Sequence, residues 1–98
     1  MSHWLLIYDF APDYLERRGA FRSEHLALGW TMADAGELIL GGAVGDPPES
    51  GLILFNDRDA AERFAAGDPY VANGIVRSWR VAPWTTVIGE NSATPIRE

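Results

Sequence analysis

Apolar and polar positions along the chain fall into six segments, separated by clusters of Gly, Pro and Asp. His3 to Asp9 (HWLLIYD) is dense in aromatic and aliphatic side chains and predicts a strand. Pro12 suits a first helical turn. A helical pattern runs from there to about Ala35, where Gly36 fits the position just past a helix end. Glu37 to Val44 predicts a second strand, GDPPESG a turn, and Gly51 to Phe55 a third strand. Asp57 is a good N-cap and Asp59 adds negative charge to the first turn of a second helix. Ala61, Phe64 and Ala65 keep its spacing, and Gly67 ends it. Ile75 to Ala82 predicts the last strand, and the residues after about Ile88 form a polar tail. The order βαββαβ is the split βαβ arrangement. It predicts an α+β, ferredoxin-like fold, an antiparallel four-stranded sheet with two helices on one face.

A sheet with one wet face alternates apolar and polar residues. Here WLLIY, LIL and LILF are apolar on both parities. Two helices cover only one face, so the other would leave a large apolar patch in water. A second copy packing sheet against sheet removes it, which predicts a homodimer. The alternative is a C-terminal tail folded back over that face.

On a single helical wheel, Tyr14, Phe21, Leu28 and Met32 cluster on one side of the first helix, and Leu15, Leu26 and Ala33 on another. Between them lie Arg18, Arg22, His25 and Gly29. A polar stripe on a buried face is costly unless it is paired or wetted. Gly29 costs about 1 kcal/mol of helix propensity against Ala and leaves empty space beside His25. Together these features predict a small pocket between helix and sheet. Against this stands the plain alternative that the arginines snorkel past the sheet edge and His25 is a hydrogen-bonded core residue. In this topology the end of the second helix lies beside the N-terminal half of the first, so Asp68 is a candidate partner for His25. Spacing alone does not choose Asp68 over Asp9 or Asp46, and an Asp-Pro pair is also a common turn former.

Composition narrows the chemistry. The 98 residues allow one domain. Net charge is −6, and all eight basic residues are arginine. Such a chain repels nucleic acid and anionic membranes, so neither is expected as a partner. No apolar run approaches the roughly 20 residues of a membrane span, and the N-terminus lacks a basic leader, so a cytoplasmic location is expected. With no cysteine, thiolate chemistry and Cys-based zinc sites are excluded. His3 and His25 are the two histidines, and no HxxxH or HxH spacing occurs, so no metal and no cofactor are expected. Gly41, Gly42 and Gly45 lead into a Pro-rich turn rather than a helix, unlike a phosphate loop, and no GxSxG is present.

The segments RSEHLALGW (Arg22 to Trp30), LILGGAVGD, GLILF, AAERFAAGDPYVANGIV and SWRVAPW together resemble the YCII-related (YciI-like) family. The resemblance covers about His3 to Trp84. Its most specific parts are DPYV-x-x-G-x-V (Asp68 to Val76) and RxxHL (Arg22 to Leu26). It implies a single YCII-related ferredoxin-like domain over residues 1–88, followed by a tail at 89–98, and a pairing of two copies into a dimeric α+β barrel. It also implies an active site built on a His–Asp pair, which the motifs place at His25 and Asp68. The family carries no one activity; its enzymatic members resemble lyases or isomerases acting on small cyclic compounds.

The leading expectation is therefore a small enzyme. His25, oriented by Asp68, moves a proton on a small-molecule substrate. Arg22 and Arg18 bind a substrate oxygen or carboxylate, and Tyr8 and Tyr70 line the pocket. Other readings are a non-catalytic ligand-binding or sensor module in the same pocket, a haem protein with His25 as axial ligand, and a purely structural dimerisation domain. The seam suits proton transfer better than haem, which needs a large pocket.

Overall fold

The computed structural model describes Ser2 to Glu98. Four strands build one sheet: β1 (His3–Phe10), β2 (Leu38–Val44), β3 (Ser50–Phe55) and β4 (Val76–Trp84). They lie in the order β2-β3-β1-β4, every neighbouring pair antiparallel. This is the α+β, ferredoxin-like topology that the segment order predicts. The register assigns the faces. Trp4 pairs with Phe55, Leu6 with Ile53 and Tyr8 with Gly51, so these residues share one side of the sheet. Leu6, Tyr8, Phe10, Ile53 and Phe55 are buried there, against the helices.

α3 (Arg58–Gly67) starts where Asp57 accepts a hydrogen bond from the Ala60 amide, as its sequence predicts. Ala60, Ala61 and Ala65 are completely covered and bring this helix close to the sheet. Phe64 fills the space between them, within 6.5 Å of the Tyr8 ring and 5.7 Å of the Phe55 ring, centre to centre.

The helical pattern from Pro12 to Ala35 is not one helix. It divides into α1 (Tyr14–Arg17), a 3-10 turn (Arg18–Ala20) and α2 (Arg22–Asp34). Gly19 weakens the run in its middle, and Phe21 leaves helical geometry at φ −122° and ψ −2°. Its ring packs on the core. The break changes the phase of the wheel. Leu15 and Leu26, grouped on an apolar stripe by a continuous helix, are 47% and 43% exposed. Leu28 and Met32 keep their inward positions.

A second difference follows Gly67. The Asp68-Pro69 pair opens a further turn of helix, α4 (Pro69–Ala72), with Asp68 as N-cap and Pro69 in the first position.

The far side of the sheet carries no helix. Leu40, Leu54, Leu5 and Ala82 form one row across it, and Leu52, Ile7 and Arg80 another. Leu40 is 71% exposed and Leu52 38%. The C-terminal residues do not cover these rows. They turn back on themselves, the Thr94 and Ile96 amides donating to the Thr86 and Val87 carbonyls. They touch the sheet at one end, where Thr86 Oγ1 lies 2.7 Å from His3 Nδ1. Among the described residues, no helix is long and apolar enough to cross a membrane.

Phe64 and Leu15 separate this packing from a single-helix arrangement. Denaturant unfolding of Phe64→Ala is expected to show a loss of about 3–5 kcal/mol, whereas Leu15→Ala should stay within about 0.5 kcal/mol of the parent.

Candidate functional site

Pro69 restricts the residue before it to extended backbone, and Asp68 adopts φ −77° and ψ 121°. The chain therefore leaves α3 at Asp68, and the side chain turns back into the protein. Its carboxylate is fully enclosed. Three donors from three elements meet it. The Tyr70 amide of α4 donates to Oδ1 at 3.0 Å, His25 Nδ1 of α2 donates to the same oxygen at 2.8 Å, and the Tyr8 hydroxyl of β1 donates to Oδ2 at 2.7 Å. A buried carboxylate needs this many partners, since an unpaired one would cost several kcal/mol or more.

The bond to Asp68 sets the chemistry of His25. Nδ1 carries the hydrogen, so in the neutral ring Nε2 holds the free lone pair. Two rings fix the orientation of the imidazole. Tyr70 stacks on it with centres 3.9 Å apart and planes 4° from parallel, and Phe64 meets its edge at 5.8 Å. The side chain keeps 17% of its surface open.

That open part faces two adjoining hollows, which share His25, Leu26 and Ile53. The first, about 240 Å³, lies between α2 and β2 and is walled by Gly29, Trp30, Leu38 and Phe64. The second, about 140 Å³, is walled by Phe10, Tyr14, Arg18, Arg22 and Tyr70. One is apolar and the other cationic. A larger hollow of about 480 Å³, beside Pro12 and Pro47, touches neither His25 nor Asp68.

His25 and Asp68, chosen from sequence, are thus in direct contact, and Arg18, Arg22 and Tyr70 line a hollow beside them. Tyr8 stands differently from its expected place on the pocket wall. It is 1% exposed and lines neither hollow, because its register opposite Gly51 points it under α3 toward Asp68. Burial, then the Asp68 charge and the hydrogen bond, push its hydroxyl pKa well above the ordinary phenol value. Burial also raises Tyr70, next to Tyr14, while Arg22 and Arg18 act in the opposite direction. Sequence reasoning did not place Trp30, Leu38 and Phe64 at the site. The strand glycine Gly41, which lines the first hollow together with Gly29 of α2, was the available signal for a gap between these two elements. Among the described residues, no cluster of three or more His, Cys, Asp or Glu is arranged to hold a metal ion.

Comparison with known proteins agrees with this architecture. The family model of the YCII-related domain matches residues 1–85. Protein YciI of Escherichia coli O6:H1 is 33% identical over 86 residues, covering 76% of this chain and 88% of that protein; Protein YciI of Shigella flexneri matches equally well. Among solved structures, the chain is similar to 5-chloro-2-hydroxyhydroquinone dehydrochlorinase (TftG) of Burkholderia phenoliruptrix AC1100, in complex with 2,5-dihydroxybenzoquinone. The TM-score is 0.69 at 18% identity, over 86% of this chain and 94% of that one. A candidate antibiotic biosynthesis monooxygenase of Bacteroides thetaiotaomicron matches with a TM-score of 0.56 at 15% identity, over 98% and 95% of the two chains. At these identities the two structures speak for the fold.

Replacing Tyr8 by Phe strips Asp68 Oδ2 of its donor and is expected to cost about 1.5–3 kcal/mol, the range for a hydrogen bond to a charged group. The raised Tyr8 pKa also fixes a sign. Above pH 10.0, the ordinary tyrosine value, the unfolded chain loses a proton that the folded chain keeps, so stability falls as pH rises. Denaturation from pH 8 to 11 should show a shallower alkaline decline in Tyr8→Phe than in the parent. Equal slopes would mean that Tyr8 is not held protonated.

Proposed function

The chain belongs to the YCII-related family, and from that premise we propose that it is a small acid–base enzyme of lyase or isomerase type acting on a small organic metabolite. The observation that carries the reading is the contact of His25 Nδ1 with the enclosed Asp68 carboxylate at 2.8 Å, beside two hollows. A histidine serving only the core would have its second nitrogen satisfied internally. Here Nε2 makes no hydrogen bond among the described residues, and the open edge of the ring faces space that a molecule can enter.

In the proposed reaction the neutral imidazole takes a proton from substrate at Nε2. Asp68 stabilises the imidazolium that results and keeps the ring from turning. The electron pair left on the substrate then either shifts a double bond or expels a leaving group. In an isomerisation the imidazolium returns the proton at another atom. In an elimination it loses the proton to solvent after the leaving group departs. Tyr8, protonated and bonded to Oδ2, positions the carboxylate. Arg18 and Arg22 stand where negative charge develops on a substrate oxygen. TftG, named as a dehydrochlorinase of a hydroxylated ring, agrees with chemistry of this class on this fold.

The second part of the proposal is assembly. The rows of Leu5, Leu40 and Leu54 and of Ile7 and Leu52 are too apolar for a face in water. Two copies pack by these faces into a homodimer.

Both parts are testable. His25→Ala is expected to lower kcat by about 10²–10⁴-fold in a screen of hydroxylated ring substrates, with an unchanged circular dichroism spectrum. Parent-like turnover in that variant would remove the base assignment. Leu52→Glu is expected to convert a dimer into monomers in sedimentation experiments. A parent chain that sediments as a monomer at all concentrations would refute the assembly.

A further inference from the structure

We infer that the ligand of this site is an amphiphilic organic anion, with an apolar ring in the hollow that Gly29 keeps open and its acidic oxygen against Arg18 and Arg22. The inference deepens the reading above and rests on it only for the task of His25, which sits where the two parts of such a ligand join.

Gly29 is the first observation. It lies within α2, at ordinary helical backbone angles, where glycine weakens a helix. Packing does not require it. A Cβ built there would lie 3.8 Å from Phe64 Cε2 and 3.9 Å from Leu38 Cδ1, both ordinary van der Waals contacts. Gly51 is different, since a Cβ there would come within 3.0 Å of Phe10 Cζ. Gly51 is glycine because its neighbours leave no room. Gly29 is glycine although they do, and the space it leaves bare is the wall of the first hollow.

The second observation is charge. Arg17, Arg58, Arg63 and Arg77 each reach a carboxylate. Arg18, Arg22, Arg80 and Arg97 form no ion pair among the described residues, and of these four Arg18 and Arg22 lie together at one hollow, the second. The Arg18 guanidinium lies 5.4 Å from the centre of the Tyr14 ring, which holds it in place. Two unpaired forks of donors beside one hollow suit a carboxylate or an acidic ring oxygen.

Size is the third. A cavity of about 150 Å³ accommodates one benzene molecule. The first hollow, at about 240 Å³, therefore has room for one substituted ring. Its walls of Phe64, Leu38 and Trp30 offer that ring apolar contact.

Three probes separate the parts of this claim: benzoate has ring and charge, benzyl alcohol the ring alone, acetate the charge alone. Each is titrated by NMR into the full chain and its variants. Benzoate is expected to bind at least tenfold more tightly than either other probe. Gly29→Met should weaken benzoate tenfold or more and leave acetate within twofold. Arg22→Gln should weaken benzoate and acetate and leave benzyl alcohol unchanged. Gly29→Ala guards against a misfolded Met variant. It is expected to raise the melting temperature by about 4–8 °C while lowering benzoate affinity, opposite signs that a purely structural glycine would not give. Benzoate that fails to bind, binds no better than benzyl alcohol, or ignores both Gly29 variants overturns the inference. Binding is also read in His25→Ala. A chain that binds benzoate as described yet catalyses nothing would sink the acid–base reading and leave this one standing.

Discussion

The site depends on one buried carboxylate and the donors that meet it. Asp68 is enclosed, and the energy of placing a charge there exceeds what any single hydrogen bond returns. It is tolerable because β1, α2 and α4 each supply a donor. The same requirement fixes the geometry of the site. For Tyr8 to reach Oδ2, α3 must end above β1; for His25 to reach Oδ1, α2 must lie beside that end. The electrostatic need of one side chain thus ties both helices and the central strand to one another, and the imidazole is oriented as a consequence.

Much of this was legible in the sequence, and the remainder was not for identifiable reasons. The strands and their order follow from apolar runs punctuated by Gly and Pro. The N-cap at Asp57 is a local signal and appears as read. The meeting of His25 and Asp68 follows from topology and motif together, since spacing left three aspartates open. The break at Arg18 to Phe21 escaped because a wheel assumes one axis, and a single glycine is a weak signal against a long periodic run. The turn of helix after Asp68 escaped because Asp-Pro serves equally well as a turn and as an N-cap followed by a first helical residue.

Tyr8 shows a different limit. Its parity on β1 puts it on the helix side of the sheet, next to the site, and a tyrosine there is easily taken for a pocket wall. Register decides otherwise. Opposite Gly51 there is no side chain to hold Tyr8 away from the sheet, and its hydroxyl lies within reach of Asp68. Which of two neighbouring roles a polar aromatic takes turns on shifts of a few ångström, and only coordinates fix those.

The charge balance of the molecule acts on two scales. At a distance the net charge of −6 repels anions, yet fields between exposed charges fade over about 8 Å at physiological ionic strength. Inside the second hollow the nearest charges are the guanidiniums of Arg18 and Arg22. The Asp68 carboxylate is already engaged by three donors, one of them the imidazole that separates it from the hollow. A small anion that enters therefore meets positive charge at close range. On the proposed reading a polyanion is disfavoured, because its other charges stay outside against the acidic surface. On the same reading, an acidic chain with an arginine-lined hollow thus favours small, singly anchored acids.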